Sequence, residues 1–142
     1  MDLKGKVVIV TGGARDIGRE ISLKLAASGA KVGINYFDNE EDAKLTLKMV
    51  KDAGGQAIIV QGDMTSLADA ERMVAETCKA FGNTVHGLVN VAGGLVARKT
   101  VEEMDEKFWD FLMSVNAKTV FLATKACVSK MTEGGSIVNF AS

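Results

Sequence analysis

The sequence predicts an open, doubly wound α/β fold on a parallel sheet. Three observations lead there. Short apolar runs, mostly rich in β-branched residues, recur along the chain; segments with helical periodicity separate them; and glycines mark many of the joins. Strands separated by helices pair in parallel through right-handed crossovers, which is the signature of this class.

The elements follow in order. Lys6–Thr11 (KVVIVT) reads as a strand buried on both faces. After a glycine-rich turn, Ile17–Ser28 places Ile17, Ile21, Leu25 and Ala26 at helical spacing, and Gly29 ends that helix. Lys31–Asn35 is the second strand, Glu40–Ala53 a charged amphipathic helix closed by Gly54 and Gly55, and Gln56–Gln61 the third strand. A helix over Ser66–Phe81 opens with Ser66 as N-cap and acids in its first turns. His86–Asn90 is the fourth strand. Thr100–Met131 is expected to be mostly helical, with a Thr100-x-x-Glu103 capping box at its start, and Ser136–Phe140 is the fifth strand.

Composition narrows the function. A chain of 142 residues suits one domain, residues 1–142, and 47% apolar with 25% charged residues is ordinary for a soluble protein. The net charge of −1 and the lack of a basic stripe argue against nucleic acid or a membrane surface as partner. No apolar run approaches the ~20 residues that cross a bilayer, and the N-terminus lacks the long apolar region of a secretory signal. Cys78 and Cys127 fit no metal motif and read as reduced, partly buried thiols of a cytoplasmic protein. His86 reads as structural, and no metal site is expected.

The chemistry gathers where the first strand meets its helix, at Thr11-Gly12-Gly13-Ala14-Arg15-Asp16-Ile17-Gly18. Glycines allow a tight turn and close approach of a pyrophosphate, and the helix N-terminus supplies unpaired N–H groups with partial positive charge. Glycines alone are weak evidence; the strand–turn–helix setting strengthens them. No Gly-Lys-Ser/Thr follows, which argues against a mononucleotide P-loop. Asp63, Asn90 and Ser142 each follow or end a strand, on the carboxyl edge where open α/β sheets bind ligands. Asn116 lies in the long helix.

Together, TGGARDIG, GDM, NVAG, SVNAKTVF and GSIVNFAS resemble the short-chain dehydrogenase/reductase family, most of all its 3-oxoacyl-(acyl-carrier-protein) reductase-like branch. The resemblance implies a Rossmann-type sheet whose first five strands run in the order 3-2-1-4-5. It implies that Thr11, Gly12 and Gly18 form the coenzyme loop, and that Asp63 and Met64 contact adenine. Asn90, Ala92 and Gly93 would stabilise the sheet and line the coenzyme site. Asn116 would organise a proton-relay water, and Ser142 would bond the substrate carbonyl. Each has a plainer reading: Thr11 and Asn90 as turn residues, Asp63 as the residue before a helix cap, Asn116 as a neutral helix residue.

The coenzyme expected is NADP(H). A site for NAD usually carries an acid at the end of the second strand; here that position is Tyr36, and Asp38 comes two residues later. Arg15 stands in the loop, where NADP-preferring relatives often carry a base. Its alternative reading is a solvated surface charge.

Two features depart from the family. Asp16 stands where glycine is expected. It would bring negative charge to the pyrophosphate, act as the helix N-cap, or be neutralised by Arg15 or by Arg19 three residues on. The family's Tyr-x-x-x-Lys pair is missing from these residues, Tyr36 being the single tyrosine. The expected function is therefore the coenzyme-binding part of an NADP(H)-dependent carbonyl reductase or alcohol dehydrogenase, truncated on its C-terminal side and inactive alone. The alternative is a non-catalytic dinucleotide-binding module. Expected partners are a small carbonyl, alcohol or acyl-carrier substrate and further copies of the chain, met through the Ser136–Phe140 edge or the long helices. Gly94–Lys99 borders the site or is an exposed loop; Arg98 and Lys99 would suit an acidic carrier.

Overall fold

The computed structural model describes residues 2–141. Five strands, β1 (Val7–Thr11), β2 (Lys31–Tyr36), β3 (Gln56–Gln61), β4 (Gly87–Asn90) and β5 (Ser136–Asn139), form one parallel sheet in the order β3-β2-β1-β4-β5. The helices are α1 (Asp16–Ala27), α2 (Glu40–Asp52), α3 (Leu67–Phe81), α4 (Glu106–Met113) and α5 (Thr119–Val128). This is the expected Rossmann-type architecture, with the strand order as expected.

Period-two alternation sorts the strand side chains onto two cores. Val8 and Val10 join Val32, Ile34 and Val50 on the face covered by α1 and α2. Ile9 joins Met73, Leu88 and Leu122 on the face covered by α3 and α5. The central strand β1 is buried at every position, which is why its sequence is a continuous apolar run and not an alternating one. Ser66 caps α3 as expected, accepting from the Asp69 N–H, and Asn39 does the same for α2 from the Asp42 N–H.

The long helix departs from expectation. Thr100 and Glu103 do form reciprocal capping bonds, Thr100 N–H to Glu103 Oε2 at 2.9 Å and Glu103 N–H to Thr100 Oγ1 at 3.3 Å. They close only a turn, and the helix starts after Asp105, whose carboxylate accepts from the Phe108 N–H at 2.7 Å. The helix then widens into a π-turn over Ser114–Lys118 and ends at Val128, short of Met131. The run Glu106–Val128, 23 residues, is long and apolar enough to cross a membrane by length and composition alone, a test that core helices also pass. Its apolar residues are interrupted by charges, so no unbroken run announces it. Leu122, Ala123, Ala126 and Cys127 seat its second half in the core beside α3.

Cys78 and Cys127 are both buried free thiols. Burial pushes the Cys127 thiol up to about 12 and raises that of Cys78 as well. His86 accepts the Val7 N–H at Nδ1, 3.1 Å away, and so ties β4 to the start of β1.

Candidate active site

The first wall of the site is the turn from β1 into α1. Gly12 takes a left-handed backbone (φ +61), and its N–H donates to Asn35 Oδ1 at 3.1 Å. A Cβ on Gly18 would run into the Gly12 carbonyl oxygen, so the helix can pack against the turn only with glycine there. Ser22 Oγ, fully buried, bonds the carbonyls of Gly13 (3.0 Å) and Gly18 (2.9 Å) and closes the helix onto the loop. Thr46 of α2 donates to the Ala14 carbonyl at 2.6 Å and accepts from Arg19 Nε at 2.7 Å.

Asp16 does not act as the N-cap. The cap position falls on Arg15, in extended backbone and with no side-chain capping bond. Asp16 is the first helical residue, at φ +48, with its side chain 86% exposed. A left-handed aspartate is tolerated but costs energy, which is the physical reason glycine suits this position better. Neutralisation by Arg19 is also excluded, because Arg19 pairs with Asp42 at 2.7 Å. Arg15 remains beside Asp16, Nε to Oδ2 at 3.7 Å. The first turn of α1 therefore carries N–H donors without a side-chain cap.

The glycine turn and the start of α1 border a cavity of about 680 Å³ at the carboxyl edge of the sheet, within the size range of small-molecule sites. Gly12, Arg15, Asp16, Ile17 and Gly18 contribute one side. Tyr36, Phe37 and Asp38, at the end of β2, contribute the next. Asp63 and Met64 follow β3. The Asp63 carboxylate accepts from the Thr65 N–H (2.8 Å) and hydroxyl (2.7 Å) in a tight Asx-type turn. The Asp63 N–H in turn donates to Asp69 Oδ2 at 2.8 Å. That bond, and then Arg72, hold the Asp69 carboxyl below the usual carboxylate range. Ala92 and Gly93, after β4, complete the wall with Phe111, Ser114 and Val115 of the long helix.

Three expected residues are not among those lining the cavity. Thr11 Oγ1 accepts from the N–H groups of Val91 (3.1 Å) and Ala92 (3.2 Å), pinning the β4 loop beside the glycine turn. Asn90, 2% exposed, donates to Asn139 Oδ1 at 2.9 Å, while its own Oδ1 has no partner among the described residues. Asn116 sits in the π-turn, a helical irregularity common at functional sites. Its Oδ1 accepts from the Gly94 N–H and its Nδ2 donates to the Gly94 carbonyl, each at 2.9 Å. A Cβ on Gly93 would lie 2.6 Å from Asn116 Oδ1, so a side chain there would have to push that amide aside from its bonds to Gly94. Ser142 lies outside the described residues.

Sequence reasoning missed Asn35 and the Arg19–Asp42–Thr46 cluster. Asn35 was hidden at the end of an apolar strand, where a polar residue is itself a signal. Gly94 and Val96 do border the cavity, and Val96 holds a left-handed φ of +60 unusual for a β-branched residue.

The model of the short-chain dehydrogenase family matches residues 6–142. An uncharacterized oxidoreductase of Thermotoga maritima is 40% identical over 144 residues, covering 100% of this chain and 55% of that protein. A dehydrogenase/reductase from Sinorhizobium meliloti superposes with a TM-score of 0.95 at 33% identity, over 99% of this chain and 55% of its own. An NADH-dependent reductase A1-R' solved with NAD superposes with a TM-score of 0.90 at 30% identity, over 99% of this chain and 61% of its own. The chain thus spans little more than half the length of these relatives.

Proposed function

The chain belongs to the short-chain dehydrogenase family, and on that premise we propose that it holds NADP(H) for an oxidoreductase acting on a carbonyl or alcohol substrate. The observation that carries the reading is the first turn of α1, with no side-chain cap and closed against a glycine turn that no Cβ could enter, facing the 680 Å³ cavity. That arrangement fits a pyrophosphate at a helix N-terminus. The bound coenzyme would supply the hydride. Gly12 and Gly18 shape the cradle, the α1 N–H groups donate to the phosphates, and Asp63 and Met64 flank the adenine.

Arg15 supports the phosphorylated coenzyme. Its side chain is 66% exposed, lines the cavity, and meets Asp16 only at 3.7 Å, so it is available to a 2′-phosphate. Tyr36, not an acid, ends β2. A second reading, NAD(H), is favoured by Asp38, which also lines the cavity and would suit ribose hydroxyls. Asn116, bonded on both sides to Gly94, orients the loop against which a substrate would lie. The substrate is a small carbonyl compound, or an acyl chain on a carrier that Arg98 and Lys99 would meet.

Self-association is part of the proposal. Trp109, Met113, Phe121 and Val128 leave apolar surface exposed along the long helix. Sedimentation is expected to show dimers or larger species; a monodisperse monomer would contradict this part.

The coenzyme reading is tested by the amide spectrum of ¹⁵N-labelled protein on addition of NADP⁺. Shifts confined to residues 12–18, 36–38, 62–65 and 91–94 are expected. Saturable binding that leaves those amides unmoved would overturn it.

A further inference from the structure

We infer that Asn35 is a positioning residue that sets the spacing between the glycine turn and the Gly62–Asp63 wall, and thereby the grip on the adenine half of the coenzyme. The inference rests on the reading of the cavity as a dinucleotide site.

Asn35 is 2% exposed, near the carboxyl end of β2. Burying an amide is costly unless its donor and acceptor atoms are both partnered. Here they are, and by different loops. Oδ1 accepts from the Gly12 N–H at 3.1 Å. Nδ2 donates to the Gly62 carbonyl at 3.0 Å, with longer contacts to the carbonyls of Tyr36 (3.3 Å) and Val60 (3.4 Å). The Asn35 main-chain carbonyl accepts from the Gly13 N–H at 2.9 Å. One residue therefore holds two consecutive amides of the glycine turn and, through its side chain, the loop that follows β3.

Two consequences follow. The Gly12 and Gly13 N–H groups are already taken, so the phosphate donors must come from the first turn of α1. The two loops, 23 and 27 residues away in sequence from the residue that joins them, also cannot separate without breaking a buried bond. Only an amide of this length both donates and accepts here. Aspartate would keep an acceptor for Gly12 but turn a carboxylate toward the Gly62 and Val60 carbonyls. Serine would reach neither loop fully.

The test compares Asn35→Asp and Asn35→Ser with Val32→Ala, a buried change in the same strand with no bond to either loop. Each is titrated with NADPH and with 2′,5′-ADP at a temperature where circular dichroism shows it folded, and Gly12 amide exchange is followed by NMR. At least tenfold weaker binding of both ligands is expected for the Asn35 variants, with faster Gly12 exchange in Asn35→Ser. Val32→Ala is expected to lose melting temperature and keep its affinity. Wild-type affinity in either folded Asn35 variant would overturn the positioning role alone. A wild-type chain that binds neither NADPH nor NADH would remove the coenzyme reading, and this inference with it.

Discussion

Arg15 Nε lies 3.7 Å from Asp16 Oδ2 on the cavity wall, and the two side chains are 66% and 86% exposed. An exposed pair at that distance contributes little to stability, so Asp16 is a charge near the phosphate position that its neighbour only partly offsets. Unit charges ~4 Å apart repel by about 1 kcal/mol in water. Replacing Asp16 with glycine is expected to tighten NADPH binding by about five- to tenfold. Because φ +48 strains an aspartate, the melting temperature is expected to rise as well, by about 2–4 °C. Unchanged affinity in D16G would show that the carboxylate stays clear of the ligand.

Arg15→Gln separates the two coenzymes. A charge-assisted bond to a 2′-phosphate contributes about 1.5–3 kcal/mol, so NADPH affinity is expected to fall by about ten- to a hundredfold. NADH affinity is expected to stay within about twofold of wild type, a difference near 0.4 kcal/mol. Equal losses for both would assign Arg15 to the pyrophosphate instead.

Gly18→Ala forces a methyl against the Gly12 carbonyl. The helix must retreat from the turn, and coenzyme binding is expected to weaken by at least a hundredfold, or about 2.7 kcal/mol. Calorimetric affinity no lower than wild type would mean that the loop does not cradle the ligand.

The Asp69 carboxyl gives the protein an acid-sensitive joint. The Asp63 N–H and Arg72 lower its folded pKa, so it binds a proton less readily folded than unfolded. Its stabilisation is fully present above the unfolded aspartate value of about 3.9 and is lost as pH falls through the lower folded value. Urea midpoints of Asp69→Asn and wild type are expected to differ most at neutral pH and to converge under acid. A constant gap across the range would contradict the assignment.

The sheet was legible because local patterns decide it. KVVIVT and QAIIVQ are strand-like by themselves, and Gly12 and Gly18 announce a turn that packs on a helix. The start of the long helix was not legible, because the Thr100 and Glu103 capping bonds satisfy a turn as well as a helix. Only Asp105, followed by the apolar face of α4, nucleates further turns. Asn35 and the Arg19–Asp42–Thr46 cluster were missed for another reason: the partners of Asn35 and Arg19, namely Gly12, Gly62, Asp42 and Thr46, are distant in sequence and meet only when β2, β3, α1 and α2 assemble. The expected Arg19–Asp16 pair failed on the same ground, since a long-range carboxylate outcompeted the local one.

The most direct measurement is calorimetric titration of the 142-residue chain with NADPH and, separately, with NADH. Saturable binding of one equivalent is expected, with NADPH at least tenfold tighter than NADH. Absence of binding to either dinucleotide would contradict the central claim that the α1 turn and its cavity form a working coenzyme site.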